Sequence, residues 1–388
     1  MLASRLALLA VAAFVSTATA RAYPTFIGYG YTSCQVCHFN AFGNGPLTDY
    51  GRAVGASTIS ARGPFAGSTS DEDLAQASGF LGKVELPDWF RPAVALRGLY
   101  FIKNVQNDAD RKMRFIPMQS DLSITLQTPD RKHWASFTAG YLPVREGITA
   151  NASKERAPVI SREHYVCAEL REGTRLIAGM TDIPFGIRVP DHTSYARAQT
   201  QLTMNDQSHL VTVHHYGETY ELGLSALAGN LFQESELRQK GFSLFAEYDV
   251  LEKVRVGHSN LYTANAYRSR LMNAVHARIG AGEGSAVLIE AGAVSQKTKT
   301  PSSNLRTYFL FENMIRFARG FHVMVVGEYT TADTFKSAPR SLRLGPAIQW
   351  FPMNRVEIRS DFQVTRILNS TTVEKDTMDF LMQAHLWF

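Results

Sequence analysis

Phe242-Ser243-Leu244-Phe245-Ala246-Glu247-Tyr248-Asp249-Val250 sets Phe, Leu, Ala, Tyr and Val on the even positions and Ser, Glu and Asp on most of the odd ones. Successive side chains of an extended chain point to opposite faces, so this stretch is a strand with one greasy face and one mainly polar face. Val356-Glu357-Ile358-Arg359-Ser360-Asp361-Phe362 repeats the pattern with charged residues on the second face. From about residue 93 onward, segments of roughly 8 to 12 residues of this kind follow one another, separated by turn-forming residues.

The spacing of the turns narrows the architecture. Tight connections at Pro129-Asp130-Arg131, Arg171-Glu172-Gly173, Gly217-Glu218, Glu252-Lys253, Gly282-Glu283-Gly284, Arg319-Gly320 and Met353-Asn354 alternate with longer polar stretches. The long ones run over residues 107–112, 151–157, 192–208, 233–240, 260–267, 298–304, 334–339 and 369–375. Short turns on one side and long loops on the other are the habit of outer-membrane barrels, and these connections join about sixteen antiparallel strands. The expected fold class is therefore all-β, an outer-membrane β-barrel over 91–388 preceded by a short helical segment. The last strand, Met378 to Phe388, sends Phe380, Met382, Ala384, Leu386 and Phe388 toward lipid and Asp379, Gln383 and His385 toward the lumen.

Composition agrees with a barrel and excludes other classes. Hydrophobic residues make up 45% of the chain, yet no later uncharged apolar run reaches the roughly 20 residues of a membrane helix. The charge balance, 40 Lys+Arg against 35 Asp+Glu, is dispersed rather than patched, so nucleic acid is not an expected partner, whereas outer-membrane lipid is. Residues 1–22 read as a signal peptide, with Arg5, an apolar Leu6 to Val15 and a cleavage site at Ala20-Arg21-Ala22.

Cys34-Gln35-Val36-Cys37-His38 is a CxxCH pentapeptide inside the segment 23–60. Two thiols and an imidazole within one turn can hold a single covalent c-type haem, the thiols through thioethers and His38 as the proximal iron ligand. A redox disulfide or part of a zinc site uses the same cysteines, but neither further ligands nor a thioredoxin-like pattern lies nearby. Aromatics Tyr23, Phe26, Tyr29, Tyr31, Phe39 and Phe42 surround the motif, and a short helix is expected from Leu47 to Val54 with Thr48 or Asp49 as cap. Residues 61–90 read as a linker with one short helix.

No methionine and no second histidine falls between His38 and Met113, so either the iron is five-coordinate or its distal ligand comes from the barrel. Parity turns Met272, His276, Arg278, Glu290, Arg306, Glu312, Met314, His322, Met324, Glu328, Arg359 and Asp361 inward. Of these and the last strand, His276, Met314, His322, Met324 and His385 belong to the periplasmic half and are the distal candidates. His214 and His215 face opposite ways, and Cys167 reads as a buried, inert thiol.

A signal, one CxxCH near the start of the mature chain and a barrel of about sixteen strands together resemble the fused monohaem cytochrome–porin family. The specific likeness lies in Tyr23-Pro24 with Phe26, in Cys34, Cys37 and His38, then in Pro46-Leu47-Thr48 and Gly51-Arg52; Gly43-Asn44-Gly45 is extra sequence between them. The resemblance implies haem c at Cys34 and Cys37 with His38 on the iron. It further implies electron transfer from an extracellular donor such as Fe(II), an Fe(II) oxidase activity, to a periplasmic electron carrier. The alternative expectation is a diffusion porin whose haem is a plug or a redox or gas sensor.

Overall fold

The computed structural model describes residues 24–31, 33–43, 45–62, 69–82, 85–141, 159–189, 193–203, 205–299, 303–334, 338–368 and 376–388. The expected signal, Tyr23, the whole 142–158 connection with Lys154-Glu155-Arg156, Asn44, His192 and residues 369–375 lie outside them.

Sixteen strands close into one antiparallel ring. They are β1 Phe90–Lys103, β2 Lys112–Gln127, β3 His133–Tyr141, β4 Val159–Arg171, β5 Thr174–Thr181, β6 Ser208–Tyr216, β7 Tyr220–Gly229 and β8 Lys240–Leu251. The ring continues with β9 Val254–Ala264, β10 Arg268–Gly280, β11 Ala286–Thr298, β12 Ser303–Ala318, β13 Phe321–Thr331, β14 Arg340–Met353, β15 Val356–Leu368 and β16 Thr377–Trp387. Each strand pairs with its sequence neighbours, and β1 pairs with β16 from Ala95 opposite Trp387 to Ile102 opposite Phe380. Closure leaves no strand edge, which a lipid-facing sheet requires because lipid cannot satisfy free backbone groups.

The faces are sorted as the alternation predicts. Leu222 and Leu224 of β7 and Val275 of β10 stand exposed, while the intervening Glu221, Ser225, Ala274 and His276 are buried. Phe242 and Leu244 likewise face out, with Ser243 and Phe245 in. Apolar side chains of this size all round a ring far exceed the few hundred Å² of roughly contiguous apolar surface that water tolerates, so the outer face is solvated by lipid. Of the residues expected inside, all are buried except Arg306, Asp379 and His385, which are half-buried.

Two departures from the expected loops stand out. β9 runs on to Ala264 and β10 begins at Arg268, so the supposed long loop at 260–267 is a short turn, with Asn260 paired to Asn273 inside the ladder. The polar residues misled because Ser259 and Thr263 are lumen residues of a strand, not loop residues. The connection after β5 also does not extend outward. Residues 182–189 and 193–203, which include the helix Tyr195–Thr200, fold back into the lumen.

Backbone and side-chain bonds hold that inward loop to the wall. Ser243 Oγ donates to the Pro184 carbonyl (2.5 Å), the Gly186 amide donates to Ser259 Oγ (3.0 Å), and the Ile187 amide donates to Glu290. Further along, Ser194 Oγ and the Tyr195 amide both donate to Glu328 Oε1 at 2.7 Å. Arg343 donates to the Thr193 carbonyl (2.8 Å) and stacks 4.3 Å from the Tyr195 ring centre. Phe185 and Ala196 complete an apolar cluster with Leu210, Leu261, Met272 and Tyr308. That cluster, rather than the polar content of the loop, explains why it turns in.

Candidate functional site

The CxxCH segment lies inside the ring, at the end where the tight turns gather. At the mouth, the Ala61 amide donates to the Phe351 carbonyl (2.8 Å), and Arg319 donates to the Ser60 carbonyl (2.9 Å) and to Asp71 (2.9 Å). Arg355 reaches the carbonyls of Ala77 and Gly79. Arg316 covers the Tyr29 ring at 5.4 Å, and Gly28 packs so closely on Gly284 and Ser285 that no Cβ would fit. The short helix expected in the linker is Asp71–Gln76, capped by Ser70.

Within the lumen the segment is anchored on the opposite wall. Asn40 is buried and donates to Glu163 Oε1 and Thr181 Oγ1, both at 2.7 Å, while its own Oδ1 accepts the Phe42 amide at 3.0 Å. Arg175 donates to Gln35 Oε1 (2.6 Å) and stacks on Trp134, whose ring meets Phe39 edge-on at 6.2 Å. Phe42 packs edge-on against His214 and Phe245. His214 thus faces the lumen, where Nε2 also meets Glu221 at 2.9 Å, while His215 stays half-buried near Tyr220.

The motif itself is a 3-10 turn over Cys34–Val36, in which the Cys34 carbonyl accepts the amides of Cys37 (3.1 Å) and His38 (2.9 Å). The Pro46-Leu47-Thr48 stretch clamps this turn from one side. His38 bridges Leu47, the Phe39 amide donates to the Pro46 carbonyl (3.2 Å), and the Thr48 amide donates to the Cys37 carbonyl (2.9 Å). Thr48 also caps the helix Asp49–Val54 by accepting the Gly51 amide at 3.1 Å, as its sequence position suggested. Gly51 has no room for a Cβ, which would collide with the Cys37 carbonyl, so the helix presses directly on the motif backbone. Arg52 then ties that helix to β1 by donating to the Pro92 carbonyl at 2.7 Å.

Cys34, Cys37 and His38 border one internal cavity of about 2250 Å³, its open mouth included. Phe42, Leu47, Ile59, Phe245 and Leu288 supply apolar lining; Arg97, Asp121, Glu163, Arg188, Arg278 and Glu357 supply charge. The inward loop forms another wall through Pro184 to Val189. Both thiols are free, and burial pushes them up, Cys34 to about 11 and Cys37 to about 12.

The five distal candidates are scattered. His385 borders the cavity. His276 does not; its Nε2 lies 2.7 Å from Glu247 and its ring stacks on Phe245. Met314 and Met324 pack with Val326 and Ala347 in a separate cluster, and His322 is fully buried beside Phe351. Cys167 is buried among Trp134, Tyr165 and Ile177. Asn40, Gly51 and Arg52 join the site without having been singled out as candidates, as does Glu163; among them only the Gly-Arg pair carried a sequence signal, through its place in the resemblance. One expected orientation fails: the strand ends at Trp387, so Phe388 leaves the alternation, borders the cavity and lies under Arg355 (5.6 Å) instead of facing lipid.

The architecture has many solved counterparts. A loop-deletion form of OmpT from Vibrio cholerae superposes with a TM-score of 0.59 at 7% identity, covering 77% of this chain and 99% of its own. The anion-selective porin of Comamonas acidovorans gives 0.57 at 8% identity with 77% and 99% covered, and OprB of Pseudomonas putida gives 0.57 at 8% with 86% and 99% covered. No family model and no curated protein matches the chain. The fold defines a class: a closed sixteen-stranded barrel of the outer-membrane porin type, carrying a CxxCH segment in its lumen.

Proposed function

We propose that this chain is an outer-membrane electron-transfer protein of the fused monohaem cytochrome–porin kind. One haem c, joined to Cys34 and Cys37 and ligated by His38, would pass electrons between an extracellular donor, Fe(II) among them, and a periplasmic carrier. The observation that carries this reading is the common cavity: two thiols and one imidazole on a single turn border one space inside a closed barrel.

The donor set fits the group. Burial pushes both thiols up, opposite in direction to the low-pKa pairs of disulfide catalysts, which speaks against a redox dithiol. The described residues hold no cluster of three or more His, Cys, Asp or Glu able to bind a metal ion, which speaks against zinc. Gly43, at φ +84°, is a further point of close approach, since a Cβ there would come within 2.8 Å of Cys34 Sγ. When bound, the haem supplies one-electron chemistry at a potential set by its ligands and burial. The chain's own residues do the rest. Cys34 and Cys37 anchor, His38 orients, Phe42, Phe245 and Leu288 exclude water, and Arg278 and Arg52 bring positive charge near the site.

A pyridine haemochrome spectrum of the membrane fraction should show a c-type band that Cys37→Ala abolishes. Holoprotein in liposomes should then reduce an enclosed acceptor from an outside donor. A wild-type membrane fraction without the band sinks the haem reading, and a coloured protein unable to pass electrons sinks the conduit.

The second reading, a diffusion porin with the haem as plug or sensor, is favoured by the fold neighbours, which include the DcaP channel of Acinetobacter baumannii and an anion-selective porin. It requires a large conductance of the haem-loaded protein in planar bilayers. The occupation of the lumen by both the N-terminal segment and the inward loop supports a low one.

A further inference from the structure

A haem held only by the CxxCH turn has one iron position unaccounted for, and the barrel is the remaining source of a ligand. Among the described lining residues of the cavity, the imidazoles are those of His38 and His385, and no methionine borders it. We propose that His385 of β16 would supply the second ligand to the haem iron besides His38; the assignment rests on the haem reading above.

The surroundings of His385 are those of a prepared ligand. Its Nδ1 lies 3.3 Å from Glu357 Oε2 on the paired strand β15 and 3.2 Å from Arg97 Nη2 on β1. Gln349 fixes the carboxylate by donating to Glu357 Oε1 at 2.5 Å. Nε2 is buried and meets no hydrogen-bonding partner among the described residues. Arg97 can only donate, so it competes with Glu357 for Nδ1. The tautomer that gives the Nδ1 proton to Glu357 leaves Nε2 with only a lone pair and avoids a buried donor without an acceptor. A lone pair on one ring nitrogen, with a carboxylate behind the other, is the arrangement by which proteins orient metal-binding histidines. Trp387, 5.0 Å away and tilted 38°, limits rotation of the ring and is itself braced by Phe351 at 6.4 Å.

The rivals lack one part or another of this. Nε2 of His276 is engaged by Glu247. Met314 and Met324 are packed into their own cluster away from the cavity. His322 is buried with neither ring nitrogen bonded to a side chain, but it does not border the cavity and stands behind Phe351.

The test uses purified full-length holoprotein, with folding of each variant verified by heat-modifiable gel migration. Wild type should give the electron paramagnetic resonance and near-infrared signature of a low-spin, bis-histidine haem. His385→Ala should turn high-spin, bind CO readily when reduced, and return to low spin with added imidazole. Because truncation beside the barrel seam could prevent closure, His385→Met serves as the second variant and should give a His–Met signature with a raised potential. His322→Ala should change nothing. A wild-type spectrum retained by both folded His385 variants, or a high-spin shift confined to His322→Ala, overturns the assignment. A colourless wild-type protein overturns the haem reading and the ligand with it, and the haemochrome band tells the two failures apart.

Discussion

Asn40 shows how a single side chain can seat a segment: its amide serves Glu163 and Thr181 at once while its oxygen fixes the following turn. Asn40→Ala leaves a buried carboxylate short of a donor, which costs about 1 to 3 kcal/mol. The expected result is faster limited proteolysis of the N-terminal segment with the barrel intact. Gly51→Val is expected to be harsher, because the added atoms meet the Cys37 backbone and not a side chain that can move. Its readout is haem per folded barrel, which should fall far below that of Thr48→Ala, where only a cap worth about 1 kcal/mol is lost. At this scale the sequence was partly readable. Cys34, Cys37, His38 and Thr48 sit at motif positions and could be found by spacing. Glu163 could not, since its value lies in meeting Asn40 from 123 residues away.

Among the elements, strands were legible and the loop after β5 was not. A strand in a barrel wall has lipid on one side and a polar interior on the other, so its alternation is written into every second residue, as in Leu222, Leu224 and their buried neighbours. Residues 182–203 carry the Pro, Gly, Asp, Ser and Thr of an outward loop, and Ile183, Phe185, Ile187, Val189 and Leu202 hint that the segment has a core to reach. Glu328 tethers it through two bonds and Arg343 through a third. Glu328→Ala should therefore loosen the loop and raise single-channel conductance in planar bilayers, whereas Glu234→Ala on an exposed outer loop should not. The helix Asp71–Gln76 offers a pH test. Hydrogen bonding to Arg319, with Arg62 assisting, holds the Asp71 carboxyl below its ordinary range. A depressed carboxyl stabilises docking above its unfolded value and loses that contribution only as pH falls through the lowered one. Protease sensitivity of residues 69–82 should thus stay flat through neutral and mildly acidic pH and rise in strong acid. In Arg319→Ala it should be high already at neutral pH.

For the whole molecule, the ring and its contents are separable in construction. The solved porin-type chains superpose over nearly all their own length on about three quarters of this one, so the wall is a complete architecture in itself. Deleting residues 23–85 should leave a heat-modifiable barrel and increase conductance several-fold, roughly in step with the cleared cross-section. A deletion product that conducts no better than the full chain would mean that the inward loop alone blocks the passage. The number of strands and, Phe388 apart, the facing of the wall residues followed from local alternation, whereas the filling of the lumen depended on contacts between distant segments that no short window contains. The enclosure of Cys34 and Cys37 has a consequence for biogenesis. Once β16 zips to β1, staves ring the thiols and the cavity opens only at its mouth, too narrow for a folded maturation enzyme to reach them. Under the proposed haem reading, attachment would precede insertion, and the cylinder would close around a chain already carrying its pigment, with the final strand delivering His385 as it seals.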